Sequence, residues 1–171
     1  MRLTTLILLM GMFAVSTRPA DAFCYEEAGN RYGISPNLLY AISKGESSFN
    51  PIAINYNTNG SYDFGLMQIN SSWEPTLRKL GIPWGTLADP CTNVMVGAWV
   101  LSQCIRDYGY TWPAVGCYNS RTPSKRDRYA ARIARIVSQE RPLRRIEQLA
   151  SITSVSKMTP WEEAFGIVAS R

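Results

Sequence analysis

Apolar residues recur at helical spacing through most of the chain. Leu38, Leu39 and Ile42 fall on one face of a segment opened by Ser35-Pro36, which predicts a helix with Ser35 as N-cap and Pro36 at its first position. Residues 23–32 read as a shorter helix before it, ended by Gly33. Ser72 is placed as the cap of a short helix that runs to Leu80 and stops at Gly81. Asp89-Pro90 opens a longer one, on which Val94, Gly97, Ala98, Leu101, Cys104, Ile105 and Tyr108 share a face; Gly97 would let a neighbouring helix come close. Thr111-Trp112-Pro113 opens a further helix through Tyr118, and residues 121–124 read as a loop. Tyr129, Ile133, Ile136 and Val137 then mark an amphipathic helix that ends before Pro142, with Arg128, Arg132 and Arg135 on its outer face. Residues 54–64 break the pattern. Asn59-Gly60 between Tyr56 and Tyr62 is a two-residue hairpin signal and predicts a small β-hairpin carrying Asp63 on its second arm. The fold class expected is mainly α (α+β), with one small hairpin.

The 171 residues suffice for one domain with a core of its own. Residues 1–22 read as a secretory signal peptide: Arg2, an apolar run from Leu6, and Ala20-Asp21-Ala22 as the cleavage site. That run is too short to span a bilayer, which takes about 20 residues, and Phe23 before Cys24 argues against lipidation. The remaining division is a folded domain over residues 23–140 and a basic C-terminal tail over 141–171, partly helical, with a last short helix starting at Thr159-Pro160-Trp161. No nucleic-acid partner and no stable membrane insertion are expected, and the chain reads as a monomer in the periplasm.

Four cysteines, Cys24, Cys91, Cys104 and Cys117, suggest two disulfides in an oxidising compartment. Three pairings are possible. Cys91 and Cys104 fall on one predicted helix about 20 Å apart, beyond the roughly 7 Å that a bridge allows; Cys104–Cys117 with Cys24–Cys91 is favoured. The chain has no histidine. Zinc is therefore not expected, no cofactor is implied, and Ser-His-Asp and Cys-His catalysis in their usual forms are excluded. Carboxylates remain as the proton-transfer groups. Charge is uneven: residues 23–120 hold five Lys/Arg and seven Asp/Glu, residues 121–171 eleven and five. The basic end suits an acidic partner or polymer.

Two carboxylates stand out, Glu46 and Asp63. Glu46 ends the second predicted helix, with Ile42 one turn behind and Phe49 just ahead, apolar company that raises a carboxyl pKa. Asp63 follows polar turn residues and is expected to stay ionised. Two carboxyl groups held in different protonation states can run acid chemistry at neutral pH.

Glu46-Ser47-Ser48-Phe49, Gly65-Leu66-Met67-Gln68-Ile69-Asn70 and Cys117-Tyr118-Asn119 together resemble the soluble-lytic-transglycosylase family, and most of all the small members that accompany type III and type IV secretion, conjugation and pilus systems. The resemblance covers residues 24–120. It implies a lysozyme-like fold, a peptidoglycan substrate and cleavage of the β-1,4 bond between N-acetylmuramic acid and N-acetylglucosamine, with the muramyl 6-hydroxyl closing on its own anomeric carbon to give a 1,6-anhydro product. It implies Glu46 as general acid and then base, Ser47 and Gln68 as cleft residues that hold the sugar or Glu46, and Tyr118 reaching towards Glu46 with Asn119 beside it. Residues 61–71 also resemble the segment that carries the second carboxylate of animal-type lysozymes, a departure from the plain transglycosylase pattern. A muramidase using Glu46 and Asp63 with water is therefore the enzymatic alternative, and a peptidoglycan-binding scaffold the non-enzymatic one. Trp73, Trp84, Trp99 and Trp112 are expected mostly in the core, with stacking on sugar rings as their other use.

Overall fold

A computed structural model describes the backbone of residues 23–155 and the side chains of residues 23–140. The signal peptide read at 1–22 and the last helix read from Thr159 lie outside the described residues. Among the described residues six α-helices and a three-stranded antiparallel sheet follow in order: α1 (Tyr25–Tyr32), α2 (Pro36–Ser47), β1 (Ile54–Tyr56), β2 (Tyr62–Phe64), β3 (Ile69–Asn70), α3 (Glu74–Lys79), α4 (Pro90–Tyr108), α5 (Trp112–Asn119) and α6 (Pro123–Val155). The mainly α architecture with a small sheet is the one expected. Among the described residues no helix is long and apolar enough to cross a membrane.

The helices start where proline and short polar residues permit it. Pro36, Pro90 and Pro113 occupy first-turn positions, where the missing N–H costs nothing. Asp89 caps α4 by accepting from the Thr92 N–H at 2.7 Å. Ser35 stands at the N-cap of α2, but its side chain makes no cap bond; its N–H donates to the Tyr110 hydroxyl at 2.9 Å. The turn before α3 is capped by Asn70, whose side chain accepts from Ser72 N–H, and not by Ser72.

The hairpin forms with Tyr56 opposite Tyr62. Its connection is longer than the two-residue turn expected. Residues 57–61 make the loop, closed by Asn57 N–H to the Ser61 carbonyl (2.8 Å) and Gly60 N–H to the Asn57 carbonyl (3.1 Å). The Asn59 side chain also accepts from Ser61 N–H, so asparagine organises the loop through its own oxygen. β3, only two residues long, adds a strand that no periodicity could reveal.

Leu39, Ile42, Leu66, Met67, Ile69, Leu101 and Ile133 lie in the fully buried centre, drawn from α2, the turn after β2, β3, α4 and α6. Gly45 lets α6 approach α2: a Cβ there would sit 2.8 Å from Ile133 Cδ1. Gly97 receives the Met67 side chain, whose sulfur and methyl fill the space a Cβ would need, and not a neighbouring helix. Both disulfides pair as favoured, Cys24–Cys91 and Cys104–Cys117, tying α1 to the start of α4 and α4 to α5. α6 does not stop before Pro142 but runs on to Val155. Proline there removes one intrahelical hydrogen bond and crowds the preceding turn, a penalty that need not end a helix of this length.

Candidate active site

Glu46 lies in the last turn of α2, which the left-handed Ser48 (φ 53) terminates. Two side chains from α6 reach it. The Tyr129 hydroxyl donates to Glu46 Oε1 at 2.5 Å, and Arg132 Nη2 lies 3.4 Å from the same oxygen. Arg132 Nη1 donates to the Gly45 carbonyl at 2.9 Å, and its guanidinium stacks over the Tyr129 ring at 4.9 Å. Burial pushes the Glu46 carboxyl above its ordinary range; the Tyr129 hydrogen bond and the Arg132 charge pull it back, and Asp63 pushes it further up. The net direction is upward, as its apolar company predicted.

Asp63 sits in the middle of β2. The register sets it opposite Asn55 on one side and Asn70 on the other, so all three share one face of the sheet. Asn70 Nδ2 donates to Asp63 Oδ1 at 2.7 Å and Asn57 Nδ2 to Oδ2 at 3.0 Å. Both carboxyl oxygens are thus held by side-chain amides.

The turn between β2 and β3 is fixed from behind by Asn93, a fully buried polar residue on α4. Its Oδ1 accepts from Met67 N–H at 2.8 Å, while Nδ2 donates to the carbonyls of Phe64 (3.2 Å) and Leu87 (3.0 Å). Gly65 adopts φ +82, and a Cβ there would collide with the Asn93 amide. Gln68, at φ 51, donates from Nε2 to the carbonyls of Gly65 (2.8 Å) and Ala53 (3.1 Å) and accepts from Asn55 Nδ2 at 2.6 Å. Its amide braces the hairpin. Ser47 donates to the Leu66 carbonyl at 2.7 Å, joining the end of α2 to the same turn.

The Tyr118 hydroxyl donates to the Met67 carbonyl at 2.8 Å. The expected contact with Glu46 is made by Tyr129, whose ring stacks on Tyr118 at 6.4 Å. Burial raises both phenols well above their ordinary value, so each remains a donor.

An open cleft of about 700 Å³ brings together Glu46, Asp63, Gln68, Tyr118 and Asn119, with Trp73 and Lys125 also in its lining. Ser47 does not line it. A smaller hollow of about 330 Å³ beside Ile105, Tyr110 and Trp112 shares no residue with the cleft. Of the tryptophans expected in the core, none is fully buried. Trp73 lines the cleft and packs edge-on against Trp99 (5.1 Å), Trp84 covers Tyr62 on the sheet (5.8 Å), and Trp112 is exposed. Tyr129 and Arg132 are the neighbours of Glu46 that periodicity did not single out. It assigned Tyr129 to the core and Arg132 to an outer face, and only the approach of α6 to Gly45 brings them to Glu46.

The family model described as "Transglycosylase SLT domain" matches residues 23–134. Invasion protein IagB of Salmonella typhimurium is 44% identical over 132 residues, which cover 74% of this chain and 81% of that protein. Protein IpgF of Shigella flexneri is 43% identical over 106 residues, 61% of this chain and 70% of that protein. An X polypeptide of Escherichia coli is 36% identical over 149 residues, 80% and 88% of the two chains. Among solved structures, an inactive mutant of lytic transglycosylase Slt from Pseudomonas aeruginosa aligns with a TM-score of 0.49 and 28% identity, over 60% of this chain and 17% of that one.

Proposed function

Because the chain belongs to the transglycosylase SLT domain family, we propose that it is an exported lytic transglycosylase acting on peptidoglycan in the periplasm. It cleaves the β-1,4 bond between N-acetylmuramic acid and N-acetylglucosamine and leaves a 1,6-anhydromuramyl end. The observation that carries this reading is Glu46: a carboxyl group in an open cleft, pushed towards its protonated form by burial and held by Tyr129. In that form it can protonate the leaving glycosidic oxygen. As a carboxylate it can then take the proton of the attacking 6-hydroxyl.

The cleft lining suits a glycan. Asn57, Asn59, Ser61, Asn70, Ser72 and Asn119 offer hydrogen bonds, and Trp73 offers a ring face. Lys125 adds a positive charge that fits the carboxylates of peptidoglycan stem peptides. Asp63 faces an oxocarbenium-like centre as a stabilising charge. Its place in the cleft also supports the second reading, a muramidase in which Asp63 works with water or as nucleophile. Relatives with names such as invasion protein support a role in opening the wall locally for an envelope-spanning secretion machine.

Release of soluble muropeptides from purified sacculi tests the assignment. Glu46→Gln keeps the shape but has no acidic proton and should lose roughly 10²–10⁴-fold in rate. Asp63→Asn should slow the reaction less. Full activity in Glu46→Gln would remove the assignment, and absence of release by the wild type would favour a binding scaffold.

A further inference from the structure

Arg132 is placed as a component of the site, although it does not line the cleft. One guanidinium makes three contacts that converge on Glu46. It bonds the carbonyl of Gly45, the residue just before it in the chain; it lies 3.4 Å from Glu46 Oε1; and it stacks on the ring of the tyrosine that holds that oxygen. The planar fork of arginine sends one nitrogen to each of the first two contacts. The close approach that permits them depends on Gly45 having no side chain.

We propose that Arg132 is a positioning residue that stabilises the carboxylate Glu46 becomes after giving up its proton. The proposal rests on the transglycosylase reading above. In the first half of that reaction the Glu46 proton passes to the glycosidic oxygen as its bond to the anomeric carbon breaks. In the second, the 6-hydroxyl oxygen bonds the anomeric carbon and its proton returns to Glu46. Between the two, Glu46 carries a negative charge in a buried place, and the charge of Arg132 offsets that cost. The charged or titratable groups that act on Glu46 are Tyr129 and Arg132 from α6 and Asp63 from β2, with Tyr118 from α5 near enough to feel its charge. Lys44, on α2 itself, is paired with Glu140. Arg132 is thus the cation that acts on the Glu46 carboxylate among the described residues.

The test uses the full chain with Arg132→Gln and Arg132→Lys. Two quantities are measured: the carbon-13 titration of the Glu46 carboxyl, assigned by its absence in Glu46→Gln, and the pH profile of kcat/KM on sacculi. In Arg132→Gln the Glu46 midpoint should rise, because the cation 3.4 Å from its carboxyl is gone. The alkaline limb of the profile should move up with it, and kcat at the optimum should fall about tenfold, less than the roughly 10²–10⁴-fold lost with the acid–base group itself. Arg132→Lys should recover most of the midpoint. Arg132→Met, which keeps an unbranched stem over Tyr129, gives the same reading if the Gln variant folds poorly. An unmoved midpoint in Arg132→Gln, or equal midpoints in the Gln and Lys variants, overturns the proposal. A wild type that releases no muropeptides would overturn the transglycosylase reading instead, while the carboxyl titration still reads Arg132.

Discussion

Glu46 carries the conflict on which this site depends. Its carboxyl is buried, so its pKa lies above that of the unfolded chain. Between the two values the native state holds a proton that the unfolded state has lost, and stability falls as pH rises through that window. Above the raised pKa the fold carries an ionised carboxylate it disfavours; below the unfolded value the cost is absent. Glu46→Gln should therefore melt above the wild type at pH 8, and the gap should close as pH falls below the ordinary carboxylate range. Calorimetry across pH checks this, and a variant less stable than the wild type at pH 8 would show that the Tyr129 and Arg132 contacts outweigh burial. Glu46 and Asp63, which the structure brings to one cleft, stand out in the sequence because each sits in a motif with distinctive neighbours. Tyr129 and Arg132 were not, because they meet Glu46 across 83 and 86 positions. Periodicity shows which face a residue shares but not what a hydroxyl or guanidinium on that face will touch. Tyr118 shares the cleft with Glu46, but its hydroxyl donates to the Met67 carbonyl and the hydrogen bond to Glu46 comes from Tyr129.

At the scale of elements, the sequence shows most clearly where helices begin. Proline and aspartate act locally, so Pro36, Asp89-Pro90 and Pro113 mark their helices without reference to the rest of the fold. The sheet is less legible. Its strands are short, its loop is set by asparagine side chains, and its third strand pairs through two residues only. What holds it against the helices is Asn93, an amide set among Val94, Val96 and Gly97 on the buried part of α4. A polar residue in that company is a signal in hindsight. Asn93→Ala would leave the Met67 N–H and the Phe64 and Leu87 carbonyls without their partner. With about 1–3 kcal/mol for each buried group left unsatisfied, the loss should be about 3 kcal/mol or more in urea unfolding. Catalytic rate should fall as well, since the turn so held joins Asp63 to Gln68. A loss below about 1 kcal/mol would mean that water or a shifted backbone replaces the amide.

The whole molecule sets a small sheet, with asparagine and aspartate on its cleft face, near a helix end that presents one buried acid. The disulfides fix α1, α4 and α5 to each other, and α6 crosses behind α2 to complete the acid's surroundings. Helix geometry excluded one of the three cysteine pairings, and the short helix-turn-helix between Cys104 and Cys117 favoured the one observed; the route of α6 past Pro142 was not legible, because a local penalty does not decide the course of a long helix. The site holds both a protected acid and a second carboxylate, so the chemistry turns on what attacks the anomeric carbon. Mass spectrometry of the muropeptides released from purified sacculi decides it most directly. The wild type should give 1,6-anhydromuramyl ends, Asp63→Asn the same ends more slowly, and Glu46→Gln next to none. Reducing muramyl ends from the wild type would contradict this and make the protein a hydrolase.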